Sequence, residues 1–108
     1  MLYFDFEAGN KAYKLRLNTR NTVALEKALG CNPLAIFDLK GEALPSITQM
    51  VTVLHASLQQ YQHGITIDDA CNIFDDYLQE HTMTDFINVI IEVYKVSGII
   101  PKDAETKN

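Results

Sequence analysis

The apolar residues of this chain change their spacing near Leu17. Before that position they alternate with polar residues over residues 3–7 and 12–17, which is typical of strands. After it they recur at helical spacing, which is typical of helices with one buried face. A chain of 108 residues has the usual length of one domain. The pattern therefore predicts an α+β fold, predominantly α-helical, with an N-terminal two-stranded β-hairpin packed on a bundle of about five helices.

The loop Gly9-Asn10 sets the register of the predicted hairpin. A glycine and an asparagine suit the positive φ angles of two-residue hairpin loops. Because a lone hairpin is marginally stable in water, we expect its aromatic face to lie on the helices. The register pairs Phe6 with Tyr13, Phe4 with Leu15 and Asp5 with Lys14.

Capping and stop residues divide the rest of the chain into helices. Ser, Thr and Asn side chains accept hydrogen bonds from the first turn of a helix, and Gly ends a helix in the left-handed conformation. We expect residues 1–100 to form a single globular domain, with the hairpin at 1–17 and the helices at 18–100, and residues 101–108 to form a polar, flexible tail. The predicted helices run from Asn18 or Thr19 to Leu29, from Pro33 to about Leu39, from Ser46 towards Gly64, from Thr66 onward, and from about Thr84 to Ser97, with residues 40–45 as a connector.

Each helix is expected to bury an apolar face. Polar residues cover the rest of the helix after Gly64, and we expect its acidic face either to be solvated or to dock a basic partner. That acidic face comprises Asp68, Asp69, Asp75, Asp76 and Glu80. The residues expected to be buried are Leu25, Ala28 and Leu29; then Ile47, Met50, Val51, Leu54, Leu58 and Tyr61; then Ile67, Ala70, Cys71, Phe74, Tyr77 and Leu78.

The last helix carries more apolar surface than one core contact needs. Only Asn88, Glu92 and Lys95 form a polar strip, so its apolar arc spans roughly 220° at the helical period. Either this is the central helix of the bundle, buried on two sides, or one side meets another chain. The candidate partner-binding residues are Ile87, Ile91, Tyr94, Ile99 and Ile100.

The sequence contains no recognisable chemical motif. Its five glycines are isolated, so none builds a phosphate-binding loop, and no serine or cysteine lies in a nucleophile motif. The three histidines lack a second ligand at metal-binding spacing, so we interpret them as structural. Cys31 and Cys71 have no metal-ligand spacing; we expect two free thiols, with Cys71 buried and inert. We therefore expect neither an enzyme nor a protein that holds a cofactor or metal.

Charge and hydropathy limit the classes of partner. The net charge is -5; residues 1–40 carry six basic and four acidic residues, and residues 41–108 carry three and ten. An acidic body repels phosphate backbones, which argues against nucleic acid and for a protein partner. No apolar run approaches the roughly 20 residues that span a bilayer, and the opening residues do not resemble a secretory leader. We expect a cytoplasmic protein with no membrane contact.

Three stretches carry a family likeness: LRLNTRNTVALEKALGCNPLAIF at residues 15–37, LHASLQQYQHGIT at 54–66 and VIIEVYKVSGIIP at 89–101. They resemble the tail assembly chaperones of long-tailed bacteriophages and prophages, and with the strand pair the likeness covers nearly the whole chain except its tail. The resemblance implies a protein that binds the tape-measure protein before the tail tube forms, keeps it soluble, and then gives way to tail tube protein. It also implies action in the host cytoplasm and absence from the finished virion.

Two further expectations accompany this interpretation. The apolar excess of the last helix predicts self-association, through exchange of terminal elements or a shared apolar surface. The alternative function is a general bacterial helical adaptor or regulatory protein-binding module. A DNA-binding helix-turn-helix protein is disfavoured because the helix after Gly64 has five acidic residues and no Lys or Arg.

Overall fold

The structure is a computed structural model that describes residues 2–37 and 44–103. Its first elements are two antiparallel strands, β1 (Phe4–Ala8) and β2 (Lys11–Leu15). The predicted register is confirmed in all three pairs. Gly9 has a φ of 57°, and no described residue other than glycine has a positive φ, so only the first position of this loop has a positive φ, as in a type II′ turn.

One face of the hairpin packs on the helices, as predicted. The ring of Phe6 stacks on Tyr77 with 5.1 Å between centroids and meets Phe86 edge-on at 6.0 Å. On the opposite face the ammonium group of Lys14 lies 4.9 Å from the centre of the Tyr3 ring and 5.9 Å from that of Tyr61. The hairpin is therefore held by aromatic packing on one side and by cation–π contacts on the other.

The helices begin at polar residues that cap their first turns. The side chains of Ser46, Thr66 and Thr82 each accept a hydrogen bond from the third residue of their helix, whose own side chain accepts one in return. None of the described helices has the length and apolar character needed to cross a membrane. The helices are α1 (Thr19–Leu29), a 3-10 helix (Pro33–Ile36), α2 (Ile47–Leu58), α3 (Ile67–Leu78) and α4 (Met83–Val96).

Two predicted helices are shorter than expected. The helix that starts at Pro33 ends at Ile36; the predicted end at Leu39 and most of the 40–45 connector lie outside the described residues. α2 ends at Leu58 rather than near Gly64. The Gln59 side chain donates hydrogen bonds to the carbonyls of His55 and Ile65, at 2.9 and 2.8 Å, and so fastens the chain where it turns back towards α3.

α2 lies at the centre of the molecule. It packs against α1, α3, α4 and β2, whereas α4 packs against α2 on one side and β1 on the other. Of the two alternatives for the last helix, the structure favours burial on two sides within its own fold, although the most central helix is α2. The buried residues of α4 are Phe86, Val89, Ile90, Val93 and Tyr94.

Several residues expected in the core lie on the surface. On α1 only Leu25 is buried, and Ala28 lies on the exposed part of the helix surface. Tyr61 is exposed because it follows the end of α2. The larger error concerns α3, whose buried residues are Ala70, Ile73, Phe74 and Tyr77. At 100° per residue this face is rotated by roughly 50° from the predicted one. The rotation brings Ile73 into the core and leaves Ile67 and Cys71 exposed.

Candidate functional site

The candidate partner-binding residues of α4 do not form one open surface. Tyr94 is 0% exposed, and its hydroxyl donates a hydrogen bond of 2.9 Å to the backbone carbonyl of Pro33. Burial, with a smaller contribution from Cys31, raises the pKa of Tyr94. Its assignment to a partner-binding surface is therefore wrong, because this side chain is part of the core.

The other four candidates lie at the margin of the core. Ile87, Ile91, Ile99 and Ile100 are half-buried. Three of them pack against the buried cluster: Ile87 from within α4, and Ile99 and Ile100 from the segment after Gly98. Their role in binding a partner stays a prediction, and α2 and α3 each have an apolar residue that is more exposed than these, Ile47 and Ile67.

An open apolar groove runs between α2 and α3. Val51 and Phe74 form its floor, since both are buried, while Ile47 and Ile67 are each 48% exposed on its walls. Its volume is about 310 Å³. The remaining lining residues are Thr48, Thr52, Cys71 and Asp75. We call this feature the α2–α3 groove.

The groove exists because the apolar arc of α3 is wider than the core it covers. Ile67 and Cys71 were expected to be buried with Phe74, yet Ile73 takes their place inward. With both sets counted, the apolar residues of α3 cover roughly 160° at the helical period. A helix at the edge of a small bundle buries a narrower stripe than this. That excess width was the signal in the sequence that could have located the groove.

The two rims of the groove differ in chemistry. On α2 the rim is neutral, because Thr48 and Thr52 carry no charge, and the Thr52 hydroxyl donates a hydrogen bond of 2.6 Å to the Thr48 carbonyl. On α3 the rim is acidic: Asp75 lines the groove, and Asp68 lies roughly 20° away from it at the helical period, two turns earlier. The surface is therefore apolar in its middle and anionic along one edge.

Among the described histidine and cysteine side chains, which are possible ligands or reactive groups, His55 binds the backbone instead. The Nε2 atom of His55 lies 3.0 Å from the Ile65 carbonyl oxygen, which can only accept, so this nitrogen carries the proton. Both thiols are free, as predicted; Cys31 is half-buried, and Cys71 is exposed, so the prediction that Cys71 is buried is wrong. Within residues 2–37 and 44–103, no three His, Cys, Asp or Glu side chains gather in a way that could hold a metal ion.

A family model matches residues 5–108. The chain belongs to a family of unknown function (DUF6096). No curated protein matches it, and no solved structure does either. Membership of this family assigns no activity to the chain.

Proposed function

We propose that this protein is a phage tail assembly chaperone that binds the tape-measure protein through protein–protein contacts. It keeps that protein soluble in the host cytoplasm, gives way to tail tube protein during tube assembly, and is left out of the finished virion. It performs no catalysis and needs no cofactor or metal. The observation that carries the proposal is the α2–α3 groove, which leaves Ile47 and Ile67 half-exposed beside a buried floor.

The shape of the groove suits a helical ligand. A tape-measure protein of the kind implied by the resemblance has long helices with exposed apolar stripes, which aggregate in water unless another apolar surface covers them. An amphipathic helix binds a groove of this kind by inserting apolar side chains spaced three, four or seven residues apart. Covering Ile47 and Ile67 at the same time removes apolar surface from water on both partners.

Co-expression with the tape-measure protein of the same phage or prophage genome tests this function. We expect the tape-measure protein to move from the insoluble to the soluble fraction and to co-purify with this chain. If it aggregates equally with and without the chain, the proposal is wrong. A general adaptor would instead leave the tape-measure protein insoluble and lack tail genes as neighbours.

A pair of matched variants connects the effect to the groove. Ile67→Glu places a charge in the groove at the first residue of α3, where an acidic residue suits the helix dipole. Val23→Glu makes the same change at an apolar residue of α1 that is 46% exposed and does not line the groove. We expect the first variant to lose the tape-measure protein and the second to keep it. Equal behaviour of the two would exclude the groove as the binding surface.

Self-association stays a prediction. The apolar excess of α4 that suggested it is largely covered by α2 and β1, which leaves the half-buried Ile87, Ile91, Ile99 and Ile100 as candidate contacts. Sedimentation equilibrium of the purified chain measures it directly. A mass that stays monomeric at all concentrations would contradict the prediction.

A further inference from the structure

The charges around the α2–α3 groove are distributed unevenly. Residues 41–94 contain eight acidic residues and no Lys or Arg, and this stretch supplies both walls of the groove. Five of the six basic residues of residues 1–40 lie on the hairpin and α1, at Lys11, Lys14, Arg16, Arg20 and Lys27, and the sixth, Lys40, lies outside the described residues. Of the two helices that form the groove, α2 has no acidic residue and α3 has four, so the α3 side of the groove is anionic.

The acidic rim has no cation of its own in the described structure. Between described residues the charged or chargeable contacts are Lys95 with Glu92, at 3.1 Å, and the His81 ring with Asp85, at 3.8 Å, and neither involves the rim. Asp68 and Asp75 are exposed and lie on one stripe of α3. Seven residues separate them, which corresponds to about 10 Å along the helix axis. Two unpaired carboxylates thus flank one side of an apolar groove.

The length of the groove limits the ligand to a short segment. Its lining runs from Ile67 to Asp75 on α3 and from Ile47 to Thr52 on α2. At 1.5 Å per residue these walls are about 12 and 8 Å long, which corresponds to roughly two turns of a bound helix. Such a segment inserts two or three apolar side chains, at positions i, i+3 or i+4, and i+7.

We propose that the α2–α3 groove selects a two-turn amphipathic helix that carries Lys or Arg on one side of its apolar stripe, the side that meets Asp68 and Asp75. The α2 rim is formed by the uncharged Thr48 and Thr52, so it does not select for charge on the opposite side of the bound helix. Carboxylates next to the apolar contact favour cations and repel acidic segments, so they discriminate among segments that are equally apolar. This inference rests on the proposed function only in taking the tape-measure protein as the natural source of the segment.

Two synthetic helical peptides test the selectivity without the tape-measure protein. Both carry the same apolar stripe; one has Lys and the other Glu at the two positions beside it. We measure binding to the full chain by fluorescence anisotropy, and we locate it by protection of the Cys71 thiol from a maleimide, since Cys71 lines the groove. We expect the Lys peptide to bind about tenfold more tightly at low salt, because two exposed ion pairs contribute about 1.4 kcal/mol together. The advantage should shrink as salt screens the pairs.

Neutralised variants identify the carboxylates responsible. The double variant Asp68→Asn with Asp75→Asn should bind both peptides alike while still protecting Cys71. Asp76→Asn with Glu80→Gln removes the same charge from two positions that do not line the groove, one on α3 and one just after its end, and should keep the preference for Lys. Equal affinities of the two peptides for the unaltered chain would overturn the proposal, as would loss of the preference in the control variant or a groove that binds neither peptide.

The outcomes separate this inference from the proposed function. A Lys preference that depends on Asp68 and Asp75, together with a tape-measure protein that stays insoluble, supports the selectivity and rejects the chaperone role. A tape-measure protein made soluble through Ile67, together with peptides bound equally, supports the chaperone role and rejects the selectivity.

Discussion

The side-chain amide of Gln62 makes both outward backbone hydrogen bonds of Lys14. Its Oε1 atom accepts from the Lys14 N–H at 2.8 Å, and its Nε2 donates to the Lys14 carbonyl at 3.0 Å. The same Nε2 also donates to the Leu58 carbonyl at 2.9 Å. Gln62 therefore takes the place of a neighbouring strand at the edge of β2 and joins the hairpin to the end of α2.

Replacement of Gln62 should loosen this junction. Gln62→Ala removes the hydrogen bonds and should lower the free energy of unfolding by about 1–3 kcal/mol, as measured in urea. Gln62→Glu should be no better, because a carboxylate cannot donate to the Lys14 or Leu58 carbonyl. Gln79→Ala, at an exposed glutamine after α3, is the control and should change little. If Gln62→Ala matched this control, the junction would have no stabilising role.

Alanine at two left-handed glycines should have unequal effects. Gly9 and Gly64 both have positive φ, which costs about 1–2 kcal/mol when a Cβ is added. At Gly9 the new Cβ would also lie 3.1 Å from the Asp76 Cβ, whereas at Gly64 nothing lies within 4 Å. Thermal melts should show Gly9→Ala as the less stable variant. Equal melting temperatures would mean that the turn moves away from α3 without loss.

Two positions on α2 should separate the core from the groove. Leu54 is 0% exposed, so Leu54→Ala should lower the free energy of unfolding by about 2–5 kcal/mol. Ile47 is half-exposed on the same helix, so Ile47→Ala should cost about 0.5 kcal/mol or less. Denaturant titration of the two variants measures the difference. Similar losses would show that Ile47 belongs to the core and that the groove is closed.

The fold should lose stability in alkali. Burial, with a smaller contribution from Asp85, raises the pKa of Tyr77 to about 12 from its ordinary value of 10.0. The folded state thus holds the proton more tightly than the unfolded state. The protonated Tyr77 side chain therefore contributes its full stabilisation of the fold below about pH 10, and this contribution is lost as the pH rises towards about 12.

Melting temperatures across that range check the alkaline loss. Tyr77→Phe cannot ionise and should lose less stability between neutral and alkaline pH than the unaltered chain. Part of the loss should remain, because burial also raises the pKa of Tyr94. Tyr61→Phe, at an exposed ring, is the matched control. An alkaline loss identical in Tyr77→Phe and in the unaltered chain would contradict the argument.

Features that depend on near neighbours in the chain were predictable. Gly9-Asn10 correctly predicted the hairpin register, and Ser46 and Thr66 correctly predicted the starts of α2 and α3. The hairpin loop and the helix caps each depend on hydrogen bonds to backbone groups within a single turn. The residues that form them therefore lie close together in the sequence.

The candidate site was harder to predict. The apolar arc of α4 was correctly predicted to be too wide for one contact, but α2 and β1 pack against this helix, and Tyr94 is buried beside Pro33 and Phe37. The open surface arose on α3, where Ile73 displaced Ile67 and Cys71 from the core. For both helices the sequence showed how many residues are apolar, but it did not show which of them remain exposed in the folded protein.

The amino-acid sequence by itself determined the α+β class, the hairpin register and the helix starts, because turn and capping interactions act over a few consecutive residues. Only the tertiary structure decided which apolar residues face solvent. That choice depends on how α2 and α3 rotate about their axes as they pack on α1, α4 and the hairpin. Such rotation is set by the combined shapes of side chains distant in sequence, so the α2–α3 groove appears only when the whole chain is folded.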